Sequence, residues 1–195
     1  MMMWFARNAR IQLIPMESPP KTISYSCLTT KFGQMMMGTT TVPFTVDSKD
    51  QVAICVLYFI DENVAKTYDE VRKRWPKSDL CKDDARIQLV ADKLFGPDKE
   101  NSEAIPVAIL GSEFQLSVWR ALVDLKSGET CTYSQLAERM GRPTAIRAVA
   151  NAVAKNEVSI LIPCHRIVSQ NGASKYHWGA ALKQQLLKFE KSDSY

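Results

Sequence analysis

The hydrophobic pattern changes its period near the middle of the chain. Residues 22–30 alternate, residues 39–46 are rich in β-branched side chains, and residues 52–60 form an apolar run, as β-strands do. Between residues 112 and 155 the apolar positions instead recur at helical spacing. This change predicts an α/β (α+β) fold, with a small N-terminal antiparallel sheet and helices followed by a C-terminal helical domain with a helix-turn-helix and a short strand pair.

Three segments are expected along the 195 residues. They are a flexible leader at 1–20, an N-terminal α/β domain at 21–106 and a C-terminal domain at 107–195. In the N-terminal domain, helical spacing predicts helices at 63–75 and 87–95. The leader has arginines and no acidic residue before Glu17, as organelle-targeting segments do, but its shortness and few serines favour a plain tail.

Three short helices are expected in the second half of the chain, each with a capping residue. Ser112 is expected to cap a helix that runs to 124, Thr132 a helix at 133–140, and Thr144 a helix from 145 to about 155. Gly141 and Pro143 separate the last two, and such a pair is typical of a helix-turn-helix. Helix pairs of this kind are also common in proteins that bind no DNA, so both interpretations stay open.

The third predicted helix is unusually smooth. Its small residues are Ala145, Ala148, Ala150, Ala152 and Ala154. A helix of this kind can approach either a DNA groove or another helix closely. Arg147 stands alone among these small residues, and it is either an ordinary surface arginine or a functional one.

The motif Pro163-Cys164-His165-Arg166 lies between the apolar runs 158–161 and 167–168, which predicts a buried strand edge. A reactive cysteine needs a group that takes its proton, and one of only two histidines in the chain follows Cys164. Neighbouring side chains on a strand point to opposite faces, which favours a water-bridged relay over direct contact. For the same reason, a hydrolase that uses both residues is a disfavoured alternative.

The five cysteines have no paired spacing, and no apolar run of about 18 residues occurs. We therefore expect free thiols, an intracellular reducing compartment and no membrane association. Cys27, Cys55 and Cys81 could in principle hold zinc, but no histidine or CxxC motif accompanies them, so no metal is expected. The net charge of +4 is compatible with nucleic acid without requiring it.

Taken together, residues 114–190 resemble the methylated-DNA–protein-cysteine methyltransferases, also called O(6)-alkylguanine-DNA alkyltransferases. The resemblance rests on FQxxVWxAL at 114–122, GETxTYxxLA at 128–137, RAVA at 147–150, IPCHRIV at 162–168 and YxWG at 176–179. The first hundred residues fit the family's more variable N-terminal domain only in their strand-then-helix order. The resemblance implies that this domain is ribonuclease H-like.

The resemblance implies DNA repair by direct reversal, in which an alkyl group passes from the 6-oxygen of guanine to the protein's own cysteine. Cys164 would be the nucleophile, consumed after one transfer, and His165 would draw its proton through a water and lower the thiol pKa. Glu190 would orient the histidine, Asn156 would brace the active-site turn, and Tyr133 would donate to the leaving purine. Without the resemblance, the residues alone would indicate that Glu190 is a solvent-exposed carboxylate and that the ring of Tyr133 packs in the core.

The resemblance also implies base flipping through the minor groove of double-stranded DNA, with Arg147 filling the gap in the stack. The implied DNA contacts are Tyr133, Thr144, Ala145, Arg147, Ala148 and Arg166. The implied pocket residues are Val153, Ile167, Tyr176 and His177. No cofactor is implied, and we expect a monomer in the absence of DNA, in the nucleus if the source is eukaryotic and otherwise in the cytoplasm.

Two features leave the function partly open. The loop between Val168 and Tyr176 is one residue shorter than in the best-known members, and Lys175 stands where glycine or asparagine is common. The size of the accepted alkyl group is therefore open. A non-catalytic module that binds alkylated DNA without reacting is the alternative function.

Overall fold

Two units, Met1–Leu110 and Gly111–Tyr195, make up the computed structural model. It describes residues 10–43, 50–95, 104–169 and 176–192. The elements of the first unit are β1 Ile11–Pro15, β2 Thr22–Thr30, β3 Gly33–Pro43, β4 Asp50–Phe59, α1 Val64–Arg74, β5 Asp79–Lys82, α2 Asp84–Phe95 and β6 Ile105–Ile109. Those of the second are α3 Glu113–Val123, β7 Cys131–Thr132, α4 Tyr133–Arg139, α5 Ile146–Val153, β8 Ile167–Val168 and α6 Ala180–Ser192.

The sheet of the first unit has six strands in the order β1-β6-β4-β3-β2-β5. Strands β2, β3 and β4 form the antiparallel arrangement that the sequence predicts. The sheet is larger than the predicted small antiparallel one and is mixed, because β1 and β4 pair parallel with β6, and β5 pairs parallel with β2. These added strands are short, and they pair with partners that are distant in sequence.

The predicted boundaries of the first unit need two corrections. Residues 11–15 do not belong to a flexible leader, because β1 pairs with β6 from Ile11↔Ile105 to Pro15↔Ile109. The same pairing places β6 in the first unit, so the division falls after Leu110 and not after residue 106. Residues 1–9, 44–49 and 96–103 lie outside the described residues, and with them the start of the leader, the end of the predicted run 39–46 and most of the predicted loop.

The helices of the first unit follow local signals. Asn63 accepts a hydrogen bond from the N–H of Lys66 at 2.9 Å and begins α1, and Pro76 follows the C-cap residue Trp75. Helix α2 begins at Asp84, three residues before the predicted start, because the side chain of Asp83 accepts from the N–H of Arg86 at 3.0 Å.

Within the described residues no helix is long and apolar enough to span a membrane.

Capping boxes begin two helices of the second unit. Ser112 and Gln115 cap α3, and Thr132 and Gln135 cap α4, where the sequence predicts caps. The prediction that Thr144 caps the third helix is wrong. A hydrogen bond from Ala145 N–H to Arg142 C=O closes a turn before α5, so that Ala145 occupies the cap position without a side-chain hydrogen bond.

The second unit positions α5 against α3. The indole N–H of Trp119 in α3 donates to the carbonyl of Ala152 in α5 at 3.0 Å. A Cβ added at Gly111 would lie 2.8 Å from the Trp119 ring, so only glycine fits beside it. The strand pair β7–β8 joins Thr132 to Val168, and Tyr133 therefore begins α4 beside the segment that follows the Cys164 motif.

Candidate active site

Cys164 lies on a single turn of 3₁₀ helix, Cys164–Arg166, and not on a strand edge as predicted. The preceding apolar run folds into turns, with backbone hydrogen bonds from Ile162 N–H to Val158 C=O and from Cys164 N–H to Ile162 C=O. Within this run Ile160 has a φ of +68°, a conformation that is unfavourable for β-branched residues. Apolar residues at 158–162 therefore reflect burial in a compact turn.

Asn156 holds this turn together from the inside. Its side-chain N–H donates to the carbonyl of Ile162 at 2.8 Å and to the sulfur of Cys164 at 3.3 Å. Its side-chain oxygen accepts from the N–H of Val158 at 2.9 Å. Because Asn156 is only 7% exposed, its hydrogen bonds face little competition from water.

His165 and Glu190 form a buried pair. The two residues are 0% and 5% exposed, and the Nε2 atom of His165 lies 2.8 Å from a carboxylate oxygen of Glu190. An ionised carboxylate only accepts, so Nε2 carries the proton and Nδ1 has a lone pair. Among the described residues Nδ1 has no hydrogen-bond partner, which leaves this nitrogen able to accept a proton.

The protonation states of this pair have opposite electrostatic origins. Burial raises the pKa of Glu190, but hydrogen bonds from His165 and Arg166 outweigh it and lower the pKa to about 2. Burial lowers the pKa of His165 and outweighs the opposing effect of Glu190. Glu190 is therefore ionised and His165 neutral at neutral pH, as an oriented general base requires.

Arg166 was predicted to contact DNA, and the structure gives it another partner. Its guanidinium donates to both carboxylate oxygens of Glu190, at 2.9 and 3.1 Å, and to the carbonyl of Leu125. Its side chain is only 13% exposed. The prediction is corrected because these contacts occupy the guanidinium, which fixes Glu190 together with the backbone N–H of Gly128 at 3.2 Å.

The thiol of Cys164 is not activated in the way that the sequence suggested. Burial raises its pKa, while the hydrogen bond from Asn156 and the charge of Lys183 act in the opposite direction without cancelling that effect. The expectation of a lowered thiol pKa is therefore wrong for the protein by itself. The thiol keeps its proton until a base removes it.

Lys183 is a site residue that the sequence analysis missed. Its side chain is 2% exposed, its ammonium donates to the carbonyl of Ile167 at 2.5 Å, and its charge interacts with Cys164. A signal was present in the sequence, because α6 buries Lys183, Leu186, Leu187 and Glu190. This is the i, i+3, i+4, i+7 spacing of one helix face, and two charged residues on an apolar face indicate a site.

Tyr133 and Tyr176 both interact electrostatically with Cys164. Burial, followed by the proximity of Cys164, raises the pKa of Tyr133, and the same two causes raise that of Tyr176 well above its ordinary value. Both phenols therefore keep their protons at neutral pH. The hydroxyl of Tyr176 is buried and has no hydrogen-bond partner among the described residues.

The other predicted pocket residues differ in exposure. Ile167 and Val153 are buried, whereas His177 is exposed and its ring lies 4.9 Å from that of Trp178 in an edge-to-face arrangement. The shortened loop, with Lys175, falls among residues 170–175, which lie outside the described residues.

The alanine-rich helix has two different faces. Val149, Ala152 and Val153 are buried, whereas Arg147 and Ala148 are exposed. Of the remaining predicted DNA contacts, Thr144 is exposed and Ala145 is half-buried. Small residues thus occur on both the buried and the exposed face of α5. Arg147 lies on the exposed face.

The cysteines of the first unit do not form a ligand cluster. Cys27 is partly exposed, Cys55 is buried and Cys81 is exposed. In the part of the chain that the structure describes, no group of three or more His, Cys, Asp or Glu side chains could hold a metal ion.

Residues 113–192 match the family model described as the DNA-binding domain of 6-O-methylguanine DNA methyltransferase. The inducible methylated-DNA–protein-cysteine methyltransferase of Bacillus subtilis is 36% identical over 134 residues, covering 67% of this chain and 75% of that protein. This chain belongs to the methylated-DNA–protein-cysteine methyltransferase family. Cys164, His165 and Glu190 all lie inside the matched domain.

Two further comparisons define the extent of the similarity. The bifunctional transcriptional activator and DNA repair enzyme Ada of Escherichia coli is 36% identical over 146 residues, which are 73% of this chain and 41% of Ada. The crystal structure of Mycobacterium tuberculosis OGT in complex with DNA superposes with a TM-score of 0.58 at 25% identity, covering 87% of this chain and 93% of that one. Members of the family thus differ in total length, while the similarity to OGT covers most of both chains.

Proposed function

We propose that this protein repairs DNA by direct reversal, transferring an alkyl group from the 6-oxygen of guanine to its own Cys164. The observation that carries the proposal is the Cys164–His165–Glu190 arrangement, braced by Asn156, inside a family-matched DNA-binding domain. DNA is the partner of that domain.

The transfer begins with the loss of the Cys164 proton. The Nδ1 lone pair of His165 accepts this proton through a bridging water, and Glu190 stabilises the imidazolium because its carboxylate already accepts from Nε2. Lys183 supplies a buried positive charge next to the new thiolate. These three groups make a thiolate accessible in a site whose burial otherwise favours the neutral thiol.

The sulfur then displaces the purine from the alkyl carbon. The S–C bond forms as the C–O bond breaks, and the electron pair of the broken bond goes to the 6-oxygen and the purine ring. Tyr133, which is protonated at neutral pH, donates a proton or a hydrogen bond to this leaving group. The product is a thioether at Cys164, and because nothing in the reaction removes the alkyl group, each molecule acts once.

The DNA must present the guanine outside the stack for this attack. The exposed face of α5 enters the minor groove, Arg147 replaces the extruded base, and the small residues around it allow close approach. Val153, Ile167 and Tyr176 line the pocket for the flipped base. Minor-groove binding of this kind gives little sequence preference, as repair of scattered lesions requires. Before it binds DNA, the protein is a monomer.

Mass spectrometry of the intact protein and its peptides tests the proposal. After incubation with a duplex that contains one O(6)-methylguanine, we expect one added methyl group on the Cys164 peptide, saturating at one per protein. Cys164→Ala should gain none, and His165→Ala or Glu190→Gln should gain it at least about 100-fold more slowly. An unchanged mass despite tight binding to the same duplex would instead support a non-catalytic lesion-binding module.

A further inference from the structure

Strand β2 of the first unit is paired along only half of one side. On its other side β3 accompanies it as far as Thr30. Strand β5 pairs with it only from Thr22 to Tyr25, and the chain then turns away into α2. The N–H of Asp83 donates to the carbonyl of Tyr25 at 2.9 Å, and no described strand pairs with β2 on that side beyond this point. Residues 26–30 therefore form a free edge of the sheet.

The backbone groups of every second residue on the free edge point outward. Because successive residues of a strand alternate, the N–H and C=O groups of Cys27 and Thr29 lie on the same side as the carbonyl of Tyr25. Those of Ser26 and Leu28 point to β3. Among the described residues, no backbone group pairs with Cys27 or Thr29 on the outward side. Their donors and acceptors are available to another extended backbone.

The sequence of the free edge does not block such pairing. Proteins protect exposed strand edges with charged side chains, prolines or bulges. Residues 26–30 are Ser-Cys-Leu-Thr-Thr, with no charge and no proline. The pairing of β2 with β3 also continues without a shift of register through this stretch. The edge is therefore open to an added strand.

A cavity of 520 Å³ lies beside the free edge, and ligand pockets typically have volumes of about 300–1,000 Å³. Tyr25 and Leu28 of β2 line it together with Val64, the first residue of α1. The ring of Tyr25 packs against that of Tyr68, with the ring centres 5.4 Å apart. Val64 is 42% exposed. An apolar side chain on an added strand would cover Val64 and the open face of Tyr25.

The charged groups at this cavity neutralise each other. Lys82 and Asp84 both line it, and their side chains form an ion pair at 3.1 Å. The hydroxyl of Ser26 also donates to Asp84 at 2.5 Å. A nucleic acid is attracted by net positive charge, which this ion pair does not provide. An extended peptide backbone needs only donors and acceptors, and it matches the free edge without any net charge.

We infer that the free edge of β2 docks an extended peptide segment of another protein, which adds a strand to the sheet and places an apolar side chain in the cavity. In such complexes backbone pairing provides affinity, and pockets for alternate side chains provide specificity. The docked segment should therefore carry apolar residues at every second position. Docking uses no residue of the second unit and is separate from transfer to Cys164.

A phage-displayed library of random decapeptides, selected on the full-length protein, supplies the probes. We expect peptides with alternating apolar residues that bind with a Kd below about 100 μM. Val64→Lys should weaken the binding of these synthetic peptides about tenfold, because it places a charge against their apolar side chain. Leu89→Lys is the matched control, since Leu89 is an apolar helix residue that is 68% exposed and does not line the cavity. It should bind like the wild type.

Amide hydrogen exchange followed by NMR tests the backbone pairing directly. In the free protein the N–H groups of Cys27 and Thr29 should exchange rapidly, whereas those of Ser26 and Leu28 should be protected by β3. A saturating selected peptide should protect Cys27 and Thr29 as well. N-methylation of the peptide should abolish binding at alternate residues, whose N–H groups face β2, and should be tolerated at the residues between them.

Several results would overturn the docking of a peptide. These are a library that yields no binding peptide, equal binding by Val64→Lys and wild type, and a bound peptide that leaves Cys27 and Thr29 unprotected. Protection that rises with protein concentration in the absence of peptide would assign the edge to a second copy of this chain. Protection by an undamaged duplex alone would assign it to DNA, and both results contradict a peptide partner.

Methyl transfer keeps this test separate from that of the proposed function. Val64→Lys and Leu89→Lys should both transfer the methyl group of an O(6)-methylguanine duplex to Cys164 at the wild-type rate, which also shows that they are folded. Loss of peptide binding with intact transfer then reports on docking alone. A wild-type protein that docks the peptide but transfers no methyl group would overturn the proposed function and support the docking site.

Discussion

At the scale of single residues, α6 brings two opposite charges into the same interior. Lys183 and Glu190 lie seven residues apart on one helix face, and they are 2% and 5% exposed. The ionised carboxylate of Glu190 forms an ion pair with Arg166 and a hydrogen bond with His165. Lys183 has a carbonyl as its hydrogen-bond acceptor, so the Cys164 thiolate is the anion that would balance its buried charge.

Replacing Lys183 should therefore change the chemistry in a pH-dependent way. Since its charge lowers the pKa of Cys164, Lys183→Gln should raise that pKa and leave less thiolate at pH 7. Methyl transfer at pH 7 should be slower by about tenfold if the thiol pKa rises by about one. The deficit should shrink as the pH rises. Because burial raises the pKa of the Cys164 thiol, thiolate formation ceases to limit the reaction only in strongly alkaline solution. Single-turnover transfer rates at several pH values, from neutral to strongly alkaline, check this.

The control for this prediction lies on the same helix. Lys188 is exposed in α6, and Lys188→Gln should transfer methyl groups at the wild-type rate throughout the pH range. A Lys183→Gln deficit that stays constant at every pH would show that Lys183 only positions the carbonyl of Ile167 and does not stabilise the thiolate.

The residues around Cys164 were predictable to different degrees. Cys164, His165 and their motif could be identified because they are adjacent in sequence and match the family. Lys183 and the partner of Arg166 depend on how α6 lies across the turn at 164–166, and neighbouring residues do not encode that contact. The raised pKa of Cys164 likewise comes from burial in the folded unit.

At the scale of helices and strands, local signals predicted what depends on local hydrogen bonds. The caps Ser112 and Thr132 were predicted correctly because each cap bonds to a residue three positions later. The prediction that Thr144 caps the third helix was wrong, because a turn closed by a hydrogen bond from Ala145 to Arg142 takes the place of a cap there. Strands β1 and β5 were missed, and the strand at β6 was assigned to the C-terminal domain, since the place of each strand is defined by a distant partner.

The two capping boxes allow a matched prediction. Thr132→Ala and Ser112→Ala each remove a cap whose loss costs about 1 kcal/mol of stability, and thermal melting should show similar decreases for both. Thr132→Ala should also slow methyl transfer, because Tyr133 is the first residue of the helix that loses its cap. Ser112→Ala should transfer at the wild-type rate when both are assayed well below their melting temperatures, and equal slowing of the two variants would contradict this role of α4.

At the scale of the whole molecule, the order of a sheet-containing unit followed by a helical one could be predicted from the change of period. The size and mixed pairing of the sheet could not, since parallel pairing between β1 and β6 joins residues more than 90 positions apart. The site, in contrast, draws its named residues from within the second unit, Gly111–Tyr195. This explains why motifs within residues 114–190 carried the functional prediction without the correct sheet.

Stability against acid is a property of the whole molecule that depends on the buried network. The pKa of Glu190 falls from 4.5 to about 2 on folding, so its ionised form stabilises the fold at pH values above about 4.5. This contribution is lost as the pH falls towards 2 and amounts to about 3 kcal/mol at neutral pH. His165 acts in the same direction, because its pKa is lowered from 6.5 by burial and acid must charge it inside the fold.

Glu190→Gln should therefore be less stable than the wild type by about 3 kcal/mol at pH 7, and the difference should narrow steadily as the pH falls below about 4.5. Urea unfolding followed by circular dichroism at several pH values measures this difference, with unchanged denaturant slopes showing that the two proteins unfold alike. Glu113→Gln is the control, since Glu113 is exposed in the first turn of α3. A wild-type advantage over Glu190→Gln that is the same at pH 3 and pH 7 would show that the carboxylate contributes through shape and hydrogen bonding and not through its charge.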